Sequence, residues 1–223
     1  MRWIVGFLKS SIGFKVLMAM TGFAMIGFVF FHLLGNLLVF KGPDMLNVYA
    51  LTLKNLPLKG IWIARIIIGC CFIIHVFLGI VLTLQNWAAK PISYANQNFI
   101  KASFSARTMI YSGLGILFFL LLHLAHYTFK ILPRTKTVID ALGRDDVYGM
   151  VVDAFQKPLY IFSYLIFVFL LGLHLSHGFA SLFQTIGINH KKYDIFLNDL
   201  PVVVGWLITF GMMSIPLIVK FGL

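Results

Sequence analysis

Five long apolar runs constrain this chain more than any other feature. They cover roughly residues 14–40, 61–87, 109–132, 159–186 and 202–221. A helix that crosses a bilayer needs about 20 mostly apolar residues. Inside lipid, a spanning backbone satisfies its hydrogen bonds only as a helix or a closed barrel. Runs of this length predict an all-α integral membrane bundle of five transmembrane helices, a single domain over residues 1–223. Breakers and charges separate the runs: Lys41-Gly42-Pro43-Asp44, Lys90-Pro91, Leu132-Pro133-Arg134, Lys157-Pro158 and Asp199-Leu200-Pro201. Pro158 and Pro201 suit a first helical turn, where the missing N–H costs nothing. The first run is too long for a signal core, and no small-residue cleavage site follows it. The stretch Met1–Lys9 reads as a short interfacial helix anchored by Trp3 and Phe7.

Composition narrows the class. Sixty per cent of the residues are hydrophobic and 11% are charged, against about half and about a quarter in soluble domains. That excludes a water-soluble globule, and 23 phenylalanines exclude disorder. The two cysteines, Cys70 and Cys71, adjoin each other inside an apolar run. They read as small buried side chains rather than a disulfide framework. Eighteen Lys and Arg against seven acids give a net charge of +11. The cations lie between apolar runs, which points to headgroups and a membrane-attached partner and away from nucleic acid. All seven acids are Asp; the chain has no Glu. With five spans, eight cations fall on the N-terminal side and ten on the other, so the charge bias sets no orientation.

Ionisable residues within a bilayer are costly and commonly functional. Six of the seven histidines lie in predicted spans: His32, His75, His123, His126, His174 and His177. A single one is also accounted for by a helix–helix hydrogen bond. Depth separates the six. Let the near face be that of the N-terminus, and the far face the opposite one. His32 lies about eight residues before the far end of span one, and His123 about nine before that of span three. His75 and His174 lie some 14 and 15 residues in from the far ends of spans two and four. His32 therefore pairs with His123 at a far level, and His75 with His174 at a near level, roughly 9–12 Å apart. Two imidazoles per level match two haems stacked across the bilayer. A porphyrin supplies four nitrogens and needs two axial ligands, whereas structural zinc wants four protein ligands.

Small residues fit the same reading. Gly79 and Gly178 follow His75 and His174 by four residues, on the same helix face, and leave room for a flat macrocycle. Gly35 and Asn36 follow His32 in a similar way. Thr21-Gly22 precedes His32 by the interval at which Ser112-Gly113 precedes His123. Eleven residues return to nearly the same helix face. Close packing of membrane helices also favours small residues. His126 and His177, three residues after His123 and His174, stand as alternative ligands, propionate partners or packing residues. Lys15, Arg65, Arg107, Lys130 and Tyr127 near span ends are further candidates for propionates, with snorkelling as the alternative. His190, beside Lys191 and Lys192, reads as solvated.

Four segments in order carry a family likeness: TGFAMIGFVFFHLLGN around His32, FIIHVFLGI around His75, LLLHLAHYT around His123 and LHLSHGFASLFQTIGI around His174. With them the chain resembles, over nearly its whole length, the five-helix dihaem cytochrome b anchor subunit of succinate:quinone and quinol:fumarate oxidoreductases. The resemblance implies two haem b groups, with His32 and His123 as axial ligands of an outer haem and His75 and His174 of an inner one. It implies an iron–sulfur subunit and a flavoprotein subunit as partners, carrying the clusters and FAD. Quinone, menaquinone in dihaem members, would be the electron partner in the lipid. It implies a prokaryotic cytoplasmic membrane with the N-terminus in the cytoplasm, and leaves a dimer of heterotrimers open. The chain would not be catalytic alone. Some members carry a glutamate two residues before the helix-four ligand for proton movement; here that residue is Gly172. Asp44 is a weak substitute, with a solvated loop residue as the alternative. Two other readings stay open: the cytochrome b subunit of another quinone-linked complex, such as a nitrate reductase or formate dehydrogenase, and a transporter whose histidines relay protons.

Overall fold

The computed structural model of the chain describes residues 3, 6–7, 10–89, 103–131, 139–188 and 191–222; side chains at 191, 194 and 195 are outside the description. Among the described residues there are helices and turns but no strand, only an isolated bridge between Ile139 and Asp145. Seven helices of eight or more residues follow in order: α1 (Ser11–Asn36), α2 (Pro43–Lys54), α3 (Gly60–Ala88), α4 (Met109–His123), α5 (Val147–Phe155), α6 (Pro158–Thr185) and α7 (Asp194–Phe221).

Five of them are long and apolar enough to cross a membrane. Span one is α1 together with a tight 3-10 turn, Leu37–Lys41. Ser10 caps its start, accepting the Gly13 N–H at 3.0 Å; this supplies an acceptor to one of the four unpaired N–H groups of a helix start. Span three is α4 continued by a π-helical turn, Leu124–Thr128. The extra residue of a π turn rotates the following side chains round the helix. Lys130 beyond it takes a left-handed backbone, φ 56°.

Two expectations about these helices change. Pro158 does open α6. Pro201 does not open a helix: α7 begins at Asp194, and Pro201 and Pro216 both lie inside it. Loss of an N–H in lipid is tolerated where neighbouring helices enclose the backbone, and Pro201 is fully buried. Cys70 is exposed and Cys71 half-buried, so neither is the buried core side chain expected. In lipid such a thiol meets an apolar solvent, so nothing drives it inward. The expected helix at Met1–Lys9 falls mainly outside the described residues; of those described, Trp3 and Phe7 are helical and exposed. Lys90-Pro91, Leu132-Pro133-Arg134 and His190 are outside the description as well.

The spans pack as two antiparallel hairpins. α1 packs on α3, and α4 packs on α6. The hairpins meet chiefly through α1 and α6, while α3 and α4 touch only lightly. Spans one and three are therefore diagonal across the bundle, as are spans two and four. α7 lies along α6 and also reaches α1. Its approach depends on missing side chains. A Cβ on Gly172 would stand 2.6 Å from Thr209 Oγ1, one on Gly205 3.1 Å from the Ser176 nitrogen, and one on Gly211 2.9 Å from Leu33. Most of α3 presents Ile, Phe and Trp side chains outwards, as suits a helix with lipid on most sides.

A polar clasp joins the two far-face connections. Asn47 of α2 is buried and donates to Asp140 (3.2 Å) and Asp146 (3.1 Å), and its own oxygen accepts the Tyr148 N–H (2.9 Å). Arg144 donates to Asp140 and to Asp44, both at 2.7 Å. Lys54 pairs with Asp145 at 2.9 Å. Burial opposes ionisation of Asp140, but Arg144, Asn47 and the Leu142 N–H outweigh it and hold the carboxyl at about 2. The Arg144 guanidinium is held above its ordinary value by Asp44 and Asp140. Asp44 thus serves as an ion-pair partner at the mouth of the clasp.

Candidate functional site

The inward faces of the four diagonal spans bring the histidines together in twos. His32 and His123 face each other with ring centroids 5.8 Å apart and planes at 87°. His75 and His174 do the same at 6.2 Å and 67°. Each pair joins one helix of the first hairpin to the diagonal helix of the second. The members of a pair belong to helices with little or no close backbone contact, so the space between those helices is bridged by imidazoles.

The near-level rings are held from the side. His75 Nδ1 lies 3.1 Å from the Met18 carbonyl oxygen and 3.4 Å from Thr21 Oγ1. A carbonyl only accepts, so Nδ1 carries the proton and donates. The Thr21 hydroxyl proton is engaged by Leu17 O (2.9 Å) and Met18 O (3.0 Å), leaving a lone pair towards the ring. His174 repeats the device. Its Nδ1 lies 3.3 Å from Ser112 Oγ, whose proton goes to Met109 O at 3.0 Å. With Nδ1 protonated, Nε2 keeps its lone pair; this is the tautomer a metal needs, fixed by the bond at the other nitrogen. Both hydroxyls are on buried residues.

The glycine beside each hydroxyl lets the rings come close. A Cβ on Gly22 would stand 3.2 Å from His75 Cε1, and one on Gly113 3.3 Å from His174 Cε1. The sequence repeat thus has a structural meaning, although its partner is the histidine of the neighbouring helix at the other level. It also extends by one residue, since Met18 and Met109 occupy the same place in it. Thr21 and Ser112 lie eleven residues before His32 and His123. At 1.5 Å per residue the levels are about 16 Å apart along the backbone.

The far level is built differently. His123 Nδ1 lies 3.2 Å from the Tyr164 hydroxyl of α6. His32 stacks on Phe28, one turn before it, at 5.4 Å and 14°. Tyr127 and Phe119 flank His123 at 5.3 and 5.8 Å. Tyr164 carried no signal in the sequence, being one aromatic among many; only its place ten residues before His174 echoes the intervals of Thr21 and Ser112.

The remaining candidates separate. His126 is buried between Tyr160 (4.5 Å) and Tyr127 (4.3 Å), on the tyrosine side of the far level. His177 Nε2 meets Ser181 Oγ of its own helix at 3.1 Å. Gly79 has open space where a Cβ would be, and Gly178 meets only Met109 Cε at 3.8 Å. Gly35 differs from expectation: a Cβ there would stand 2.7 Å from the Tyr49 ring, so α2 already fills the space. Arg65 and Arg107 lie over Trp62 and Phe104, at 5.0 and 6.0 Å.

Two imidazoles bound end-on to one metal, with bonds of about 2 Å and a ring nitrogen about 1 Å from its centroid, have centroids about 6 Å apart. Both pairs meet that spacing. Either twist between the planes would be compatible with such binding, because rings held end-on by one metal need share only an axis. The residues present therefore fit a metal group with four equatorial donors of its own at each level. Compared with family models, curated proteins and solved structures, the chain finds no match in any of the three.

Proposed function

We propose that this chain is the membrane-anchor cytochrome b subunit of a succinate dehydrogenase or fumarate reductase complex. In this reading it carries electrons between an iron–sulfur subunit and membrane quinone, menaquinone by family likeness, through two bis-histidine haems. One observation carries it: two pairs of facing imidazoles, at 5.8 and 6.2 Å, on diagonally opposed spans at two depths. His32 and His123 would hold the far haem, and His75 and His174 the near one. A haem with both axial positions filled supplies one-electron transfer without an open site for oxygen.

The chain's own residues do the rest. Met18, Thr21, Met109 and Ser112 keep the near-level rings in the tautomer that presents Nε2 to the axis. The apolar spans exclude water, which influences potential. The order of levels suits electrons that enter at the near face, beside a flavoprotein with FAD and an iron–sulfur protein on the cytoplasmic side, and leave at the far one. The charge distribution is compatible with an N-terminus in the cytoplasm without requiring it.

A proton-coupled transporter is the less supported alternative. The described residues of the spans carry no acid away from their ends, and the histidines are matched in twos rather than strung along a path. A reduced-minus-oxidised optical spectrum, taken on the complex isolated from its native membrane, tests the proposal. Two low-spin b haems per chain, unreactive towards carbon monoxide and reducible by succinate, are expected. A colourless protein would overturn the cytochrome reading. Reduction by formate or reactivity with nitrate, with none by succinate, would move it to another quinone-linked complex.

A further inference from the structure

Three of the four facing imidazoles are held at Nδ1 by a hydroxyl, and in each case it comes from the other helix of the same hairpin. Thr21 of α1 serves His75 of α3 at 3.4 Å. Ser112 of α4 serves His174 of α6 at 3.3 Å. Tyr164 of α6 serves His123 of α4 at 3.2 Å. Each hydroxyl precedes its own helix's histidine by ten or eleven residues, so α1, α4 and α6 each offer a histidine at one level and a hydroxyl at the other. In α3 the equivalent positions are Ala64 and Arg65, which have no hydroxyl. Among the described residues no hydrogen bond reaches the His32 ring, which rests on Phe28. The second hairpin is therefore reciprocal and the first is not. At the far level, a single phenol stands where carbonyl and hydroxyl groups stand at the near level.

We propose that Tyr164 is the positioning residue of the far level. Its oxygen accepts the Nδ1–H of His123, turns Nε2 towards His32 and strengthens the imidazole as an electron donor. The inference rests on the reading of the four histidines as iron ligands. An acceptor at Nδ1 raises ligand basicity and favours the oxidised metal; removing it weakens that preference. Tyr164 is the hydrogen-bond partner of the His123 Nδ1 among the described residues, so the effect belongs to one level. The near level keeps Met18 O and Thr21 on His75 and Ser112 on His174.

The test is a redox titration of the complex, followed optically and by the low-spin electron paramagnetic resonance signals, for wild type, Tyr164→Phe and Tyr160→Phe. Tyr160 stacks on His126, and among the described residues the hydrogen bond of the His123 ring is to Tyr164, so Tyr160 controls for loss of a neighbouring phenol. Tyr164→Phe should move one haem to higher potential with a changed resonance signal, and leave the other where it was. The haem that moves should be the one perturbed by His123→Met. Tyr160→Phe should move neither. Unchanged potentials in Tyr164→Phe, or a shift in the haem perturbed by His174→Met, would overturn the role of Tyr164 while leaving the ligand reading intact. A wild-type complex without haem would overturn the ligand reading, and this inference with it.

Discussion

At the scale of single residues, what matters around each imidazole is which nitrogen keeps its lone pair. Thr21 and Ser112 decide this at the near level because their hydroxyl protons are already engaged by carbonyls of the preceding turn. Thr21→Val keeps the shape and removes the acceptor. Paired with Ser112→Ala, it should lower near-level haem affinity about 10-fold, in line with the usual cost of losing a partner behind a metal ligand. Haem retained per chain after detergent washing would measure this, with the far level as internal reference. Gly22→Leu is a harsher probe. Its Cβ alone would stand 3.2 Å from the His75 ring, so the longer side chain should displace the imidazole and empty that level. The histidines and the Thr-Gly and Ser-Gly pairs were visible in the sequence through their spacing. Tyr164 and the two methionine carbonyls were not. A backbone acceptor has no residue type, and a tyrosine among 16% aromatic residues is marked only by the neighbour it meets.

At the scale of elements, the hairpins are held by close backbone approach and by the clasp on the far face. Gly172 sits under Thr209 and Trp206, so this chain has no room there for a carboxylate side chain. Gly172→Leu should cost about 1–3 kcal/mol by overpacking, read as a lower unfolding midpoint in detergent. Asn47→Ala removes an amide that makes three hydrogen bonds, and should cost about 2 kcal/mol. The clasp should also fail in acid. Asp140 is held at about 2 in the folded protein, below its unfolded value of about 3.9. Its contribution is therefore complete above about pH 4 and lost as pH falls from there through about 2. Hydrogen exchange of α2 and α5 should rise over that interval in wild type and lose this step in Asp140→Asn. Span boundaries were legible within a few residues because apolar length dictates them. The start of α7 was misplaced because a proline was taken for a helix opening. The clasp escaped notice because residues about 100 apart in sequence build it.

At the scale of the whole molecule, two hairpins of like design face each other, and the ligand pairs form across the diagonals. A repeat between spans one and three, α1 and α4, shows half of that symmetry in the sequence; the other half exists only where α3 and α6 bring their histidines to it. The pairing is the central claim, because the proposed electron path depends on each level drawing one ligand from each hairpin. Low-spin resonance spectra of the oxidised complex carrying His32→Met, His123→Met, His75→Met or His174→Met test it most directly. The first two variants should alter the same one of two signals, and the last two the other. A shared signal for His32 and His75, which lie in the same hairpin, would contradict the diagonal arrangement, and spectra with no haem signal in the wild type would contradict the account as a whole.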